Sequence, residues 1–146
     1  MSTLATFTPQ AIGQTEKALN AILDRLLAGT GLSEPQWVTL TVTVASGAIV
    51  RREELVGRLA GALKITDAEA RARIGELAAA GLVEAGDEVV TVTTAGLELH
   101  TRVRTATVET TERLWGDLPA EDLETAGSVL ATVLIRANAE LLGAWW

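Results

Sequence analysis

Apolar positions in the first thirty residues recur at helical intervals, with Ile12, Leu19, Ile22, Leu23 and Leu26 on one side of a 3.6-residue wheel. Thr8 is placed to cap that helix, Pro9 suits its first turn, and Gly29 and Gly31 end it. A second element opens at "SEPQ", where Ser33 and Gln36 have the spacing of a capping box, and runs through "WVTLTVTVA" to Gly47. Its cap argues for a helix and its β-branched run equally for a strand. "REELVGRLAGALK" sets Leu55, Leu59, Ala62 and Leu63 on one face of a short third helix. A fourth starts at a second capping box, Thr66 with Glu69, turns Ala70, Ile74 and Leu77 inward, and stops at Gly81. "LVEAGDEVVTVT" then alternates weakly about a Gly-Asp pair, the pattern of a tight hairpin. From Thr94 to Trp115 runs a long helix with a candidate seam at Leu97, Thr101, Arg104, Val108, Thr111 and Trp115, half of it polar. Pro119 opens a last helix whose stripe, Leu123, Ala126, Gly127, Leu130, Leu134, Ala137 and Leu141, is wholly apolar.

Four helices, a hairpin and two long helices make a mainly α (α+β) chain. Its centre reads as a winged helix-turn-helix with a short β-hairpin wing. The expected organisation is an N-terminal dimerisation helix over residues 1–31, the winged lobe over 32–93 and C-terminal dimerisation helices over 94–146, all forming one intertwined domain. The outer helices have no partner of their own to close around, so a two-fold homodimer is the economical way to cover them. Leu19, Leu130, Leu134 and Leu141 are the expected interface residues. The closing "LLGAWW" is too apolar for water and puts Trp145 and Trp146 against the second subunit, or plugs a pocket.

Composition narrows the chemistry. There is no cysteine, which excludes disulfides, thiolate metal sites and thiol redox sensing, and one histidine leaves little for a zinc site. No metal and no cofactor is expected. The N-terminal stretch has no basic start followed by an apolar run, and no segment has the roughly 20 apolar residues of a membrane span, so the expected location is cytoplasmic. No Gly-rich phosphate loop and no nucleophile with a recognisable base is present, which argues against an enzyme. The net charge of -7 opposes non-specific attraction to a polyanion. Six of the twelve basic residues lie between positions 48 and 93, although eight acidic ones lie there too.

Four segments in order, "GLSEPQWVTL", "EELVGRLAGAL" with "ARIGELAAAGLVE", "VTVTTAGLELH" and "LWGDLPAEDLETAGSVLATVL", carry a resemblance over nearly the whole chain. The sequence resembles the multiple antibiotic resistance regulator (MarR) family of bacterial transcription factors. The resemblance implies a homodimer, a palindromic double-stranded operator, recognition helices in successive major grooves and often a small-molecule pocket between the dimerisation helices and the DNA-binding lobe. Departures fall where DNA would be touched. Family members usually have a long wing with an Asp-Arg-Arg-like element, whereas this wing is only "EAGDEVV", and no Lys or Arg occurs between Arg73 and Arg102. Asp67 and Glu69 would face phosphates, at a cost on the order of 1 kcal/mol each. They also favour the helix dipole, and a carboxylate can accept a hydrogen bond from cytosine.

Arg71 and Arg73, two residues apart, cannot point the same way. Arg71 is the candidate for a bidentate contact to guanine. Arg73 either reaches a phosphate along the helix edge or pairs with Glu69 or Glu76. Thr66 can offer a phosphate its hydroxyl or backbone N–H. Lys64, Arg51 and Arg52 complete the candidate DNA-binding set, against the plain alternative of solvated charge. Trp37 occupies the family's aromatic pocket position and is equally a core tryptophan. His100 and Arg104, one turn apart, can meet an anionic ligand such as an aromatic carboxylate, with Thr101 and Thr41 nearby. They can instead make one structural hydrogen bond and an ion pair.

The expected function is therefore a homodimeric DNA-binding transcriptional regulator, acting as a repressor whose operator affinity responds to a small ligand. The alternative is a winged-helix dimer that has lost DNA binding and acts through protein or ligand contacts.

Overall fold

The first helix, α1 (Pro9–Leu27), starts where expected: Thr8 accepts a hydrogen bond from the Ala11 N–H, and Pro9 fills the first turn. In a computed structural model, which describes residues 6–143, α1 is followed by α2 (Glu34–Ala45), β1 (Ile49–Arg51), α3 (Arg52–Leu63), α4 (Asp67–Ala79), β2 (Val83–Ala85), β3 (Val89–Val92), α5 (Thr94–Trp115) and α6 (Ala120–Leu142). Trp145 and Trp146 lie outside the described residues.

The ambiguous "WVTLTVTVA" run is helical, and its own side chains show why. Ser33 accepts from the Gln36 N–H while the Gln36 side chain accepts from the Ser33 N–H, which closes the capping box. Thr39 and Thr43 then donate their hydroxyls to the carbonyls of Pro35 and Thr39, at 2.8 and 2.7 Å. Threonine polarity is thereby satisfied within the helix, and both residues can be fully buried beside Trp37 and Leu40.

β1 has no counterpart in the sequence reading. Gly47 and Ala48, both at positive φ, turn the chain out of α2 so that Ile49, Val50 and Arg51 pair antiparallel with Thr91, Val90 and Val89. The sheet order is β1-β3-β2, with β2 and β3 forming the wing around residues 86–88. Three residues are too few to show alternation, so the strand is invisible to periodicity.

The core is built by Leu40 of α2, Leu55, Val56 and Leu59 of α3, Ile74 and Leu77 of α4, and Val90 of β3, all essentially solvent-free. Leu99 and Val103 of α5 join it. The buried stripe of α5 is therefore Gly96, Leu99, His100 and Val103, one face around from the candidate seam. Of that seam, Leu97, Thr101, Arg104, Val108 and Trp115 are exposed. Entry into α5 is close-packed. Thr93 accepts from the Gly96 N–H and donates to the Gly81 carbonyl, and a Cβ added at Gly96 would overlap the Leu82 carbonyl oxygen.

The chain forms two compact units, residues 1–107 and 108–146. In the second, Pro119 caps α6, Glu121 and Asp122 sit in its first turn, and Gly143 closes it at a positive φ. α6 buries none of its described residues; Leu130, Leu134 and Leu141 are all exposed, with Leu134 at 58%. No described helix is long and apolar enough to cross a membrane.

Candidate nucleic-acid interface and ligand-facing residues

α3 and α4 meet through the turn at Lys64, which adopts the left-handed conformation (φ 57°) and donates its Nζ to the Gly61 carbonyl at 2.6 Å. α4 begins with the second capping box. Thr66 accepts from the Glu69 N–H, while both its own N–H and its hydroxyl donate to Glu69 Oε1 at 3.1 and 3.0 Å. These two hydrogen bonds, led by the backbone one, hold the Glu69 carboxyl below the usual carboxylate range. Both donors that Thr66 could offer a phosphate are therefore already engaged by Glu69.

With Ala70, Ile74 and Leu77 turned into the core, the exposed side of α4 consists of Asp67, Ala68, Glu69, Arg71, Ala72, Gly75 and Ala79. Arg71 is its one long cation. Its Nη2 lies 2.9 and 3.3 Å from the two carboxylate oxygens of Glu53 on α3. Arg73 takes a different direction. Its Nη2 donates to Glu76 Oε2 at 2.9 Å, and its Nε lies 2.8 Å from Oε1 but off the hydrogen-bond direction. Gln36 of α2 also donates to Glu76 Oε1 at 2.9 Å, and that bond is the main reason the Glu76 carboxyl is held below its ordinary range. Of the two outcomes open for Arg73 in the sequence, the geometry has the ion pair with Glu76.

Arg51 is exposed at the N-terminus of α3, and its side chain makes no hydrogen bond or ion pair to the described residues. Arg52 is structural: its N–H donates to the Glu88 carbonyl at 2.8 Å and its Nη1 to the Gly86 carbonyl at 2.9 Å, fastening the wing tip to α3. An open cleft of about 590 Å³ lies here, lined by Arg51, Arg52, Glu53, Glu54, Asp87 and Glu88. Arg58, not singled out in the sequence, pairs with Glu54 at 2.7 Å. The sequence reading also missed the acidic partners on α3, because Glu53 is 18 residues from Arg71 and no local spacing links them.

The ligand candidates divide. Trp37 and His100 are brought together, their rings stacked with centroids 5.0 Å apart and planes 19° from parallel. Both are buried, and burial is the main cause, with Arg104 second, that pushes the His100 pKa below its ordinary value. Thr41 sits one helical turn after Trp37. Unlike Thr39 and Thr43 it has no hydrogen bond for its hydroxyl, which is buried. Thr101 and Arg104 are exposed. Among the described residues no group of three or more His, Asp or Glu could hold a metal.

No protein-family model and no curated protein matches the sequence. Solved structures do match. A MarR protein from Peptoclostridium difficile aligns over 99% of this chain and 98% of its own, with a TM-score of 0.78 at 17% identity. AbsC, a MarR family transcriptional regulator from Streptomyces coelicolor, aligns over 94% and 99%, with a TM-score of 0.72 at 22% identity. An organohalide-sensing transcriptional regulator in its 2,4-dichlorophenol-bound form aligns over 88% and 78%, with a TM-score of 0.71 at 12% identity. The chain has the winged-helix fold of the MarR-family regulators, with no large segment left over.

Proposed function

We propose that this chain is a MarR-family transcriptional regulator: a cytoplasmic homodimer that binds an operator through α4 and whose affinity a small ligand modulates, in the sense of a repressor. The observation that carries the reading is the orientation of α4 within a fold shared end to end with regulators. Its apolar side is locked into the core and Arg71 alone among long cations stands on its outer side. In a two-fold dimer the two α4 helices would enter major grooves about 34 Å apart, with Arg71 suited to a bidentate guanine contact. Arg51 and Lys64 would supply backbone contacts.

The ligand would sit against the Trp37–His100 stack. The Thr41 hydroxyl is a polar group with an unmet hydrogen bond, and Arg104 supplies positive charge felt at His100. An aromatic carboxylate satisfies that chemistry through stacking, a hydroxyl donor and a cation. Ligand binding would shift the population of dimer geometries away from the groove spacing. That one similar structure holds a chlorinated phenol supports an aromatic occupant.

The decisive measurement is fluorescence anisotropy with duplex from upstream of the gene, at low and then moderate salt. Sequence-specific binding lost in Arg71→Ala is expected; equal affinity for that duplex and a random one at every salt would end the reading. A second reading, a winged-helix dimer acting through protein or ligand contacts without DNA, draws on one observation. Arg58, Arg71 and Arg73 are each paired with a carboxylate of their own lobe.

A further inference from the structure

The ion pair between Arg71 and Glu53 lies on the outer side of the helix-turn-helix, where a nucleic acid would arrive. Its side chains are 45% and 75% exposed, so solvent already surrounds both ends. Pairs this exposed are weakly held and exchange partners readily. The contact uses only Nη2 of the guanidinium, toward both Glu53 oxygens. Nε and Nη1 are left for another acceptor. The remaining outward residues of α4 are small (Ala68, Ala72, Gly75, Ala79) or acidic (Asp67, Glu69), and Arg73 is held by Glu76. Whatever Glu53 does to Arg71 therefore governs what α4 offers to DNA.

We infer that Glu53 is a specificity-determining residue, a positioning carboxylate that makes Arg71 a poor ligand for phosphate and a good one for guanine. The inference rests on the DNA-binding reading above. A phosphate oxygen that took the open donors of Arg71 would be set beside the Glu53 carboxylate, two anions on one guanidinium, and one that took Nη2 would leave that carboxylate facing the same polyanion. On random duplex no counterion release is gained at this position. Guanine presents two neutral acceptors, O6 and N7, in the major groove. Every two-donor edge of the guanidinium, Nη2 with Nε or Nη2 with Nη1, includes Nη2. The fork therefore meets them with the Nη2 hydrogen directed away from Glu53 together with Nε or Nη1, while Glu53 shares Nη2 and fixes the side-chain direction; guanine adds no second anion beside Glu53. Glu53 thus subtracts from indiscriminate binding and leaves, or supports, the sequence-reading contact.

The experiment compares wild type, Glu53→Gln, Arg71→Ala and the double variant, each checked by far-ultraviolet circular dichroism for folding. Anisotropy is measured against the upstream duplex and a random duplex across a salt series. Glu53→Gln keeps the side-chain shape and is expected to tighten random-duplex binding about five- to tenfold at low salt. The slope of log affinity against log salt should become steeper by about one, since one more phosphate is neutralised. Affinity for the upstream duplex should stay level or weaken, so discrimination falls. In the Arg71→Ala background the same substitution should leave discrimination unchanged.

Two results overturn the inference while the DNA reading stands. In one, wild type discriminates but Glu53→Gln changes neither random-duplex affinity nor the salt slope. In the other, the substitution has the same effect with and without Arg71, which would make Glu53 a mere surface charge. Wild type that fails to discriminate at any salt removes the DNA reading and this inference together.

Discussion

The imidazole of His100 lies nearly parallel to the indole of Trp37, 5.0 Å away between ring centres, and joins α5 to α2 at the edge of the core. Both residues are less than one-tenth exposed. Charging the imidazole there would put a cation where burial opposes it and where Arg104 adds repulsion.

That placement gives stability a pH dependence of definite sign. The folded protein favours neutral His100, so its pKa is below the ordinary 6.5 that it regains on unfolding. The unfolded chain therefore binds the extra proton first as pH falls. Stability from this group is complete above about 6.5 and declines below it until the folded-state value has been passed. Urea unfolding followed by circular dichroism should show a plateau at pH 7 to 8 and a falling midpoint toward pH 5.5. His100→Asn should flatten that limb; an unchanged slope would dismiss His100 as its source. Trp37→Ala, which empties a large buried volume, should cost about 3 kcal/mol or more at pH 7.

At lower pH two carboxylates of α4, Glu69 and Glu76, take over. Glu69 is held by Thr66 and Glu76 chiefly by Gln36, and both titrate below their ordinary 4.5 in the folded state. Their contribution is present in full above 4.5 and is lost as pH drops through the folded-state values. Thr66→Ala removes the cap and one end of this arrangement, and should lower stability by about 1 kcal/mol at neutral pH. Its acid limb below pH 4.5 should be shallower than that of wild type. A Thr66→Ala protein with the wild-type unfolding midpoint would show that the capping box contributes nothing.

How much of this was legible in the sequence depended on whether the cause was local. Both capping boxes, the Thr8 cap, the inward Ala70, Ile74 and Leu77, and the stops at Gly29 and Gly81 are set by neighbours within four residues, and each is where the pattern put it. β1 was not legible, because its register is dictated by β3 some forty residues away. Nor was the core-facing side of α5: Leu99, His100 and Val103 pack inward, while the candidate seam through Leu97, Thr101 and Arg104 lies on exposed surface. At the candidate interface, the sequence marked Arg71 for a base contact and Arg52 only as a further cation of the set. Only the fold reveals that Arg52 fastens the wing at Gly86 and Glu88, while Arg71 leans on a carboxylate from another helix.

Gly96 is a position where one methyl group should matter. It is buried in the first turn of α5, and an added Cβ would run into the Leu82 carbonyl oxygen and come within 2.8 Å of a Val92 methyl. The Leu82 carbonyl also accepts from the Thr93 N–H, so it cannot move aside without loosening the turn between wing and helix. Gly96→Ala should destabilise by about 1–3 kcal/mol, as overpacking does, despite the better helix propensity of alanine. Chemical denaturation would show the loss as a lower midpoint at similar slope. Gly75, exposed on α4 with open space around its Cα, is the control, and alanine there should be neutral or stabilising.

The proposed homodimer makes its strongest demand on α6. Leu130, Leu134 and Leu141 are spaced at helical intervals, all are exposed, and the helix buries none of its described residues. An apolar surface on this scale is expected to be covered in water. Leu19 on α1 is a further exposed leucine of the same expected set. In a two-fold arrangement each substitution acts twice, once from each subunit. Leu130→Glu combined with Leu134→Glu should therefore convert the wild-type species, measured by sedimentation velocity at micromolar concentration, from dimer to monomer. It should also abolish binding to the upstream duplex while leaving Arg71 and the winged lobe intact. The lobe's own integrity is read from unchanged amide hydrogen-exchange protection over residues 34–79. Wild type that sediments as a well-folded single chain under the same conditions would refute the pairing, and with it the fixed distance between two α4 helices on which operator recognition depends.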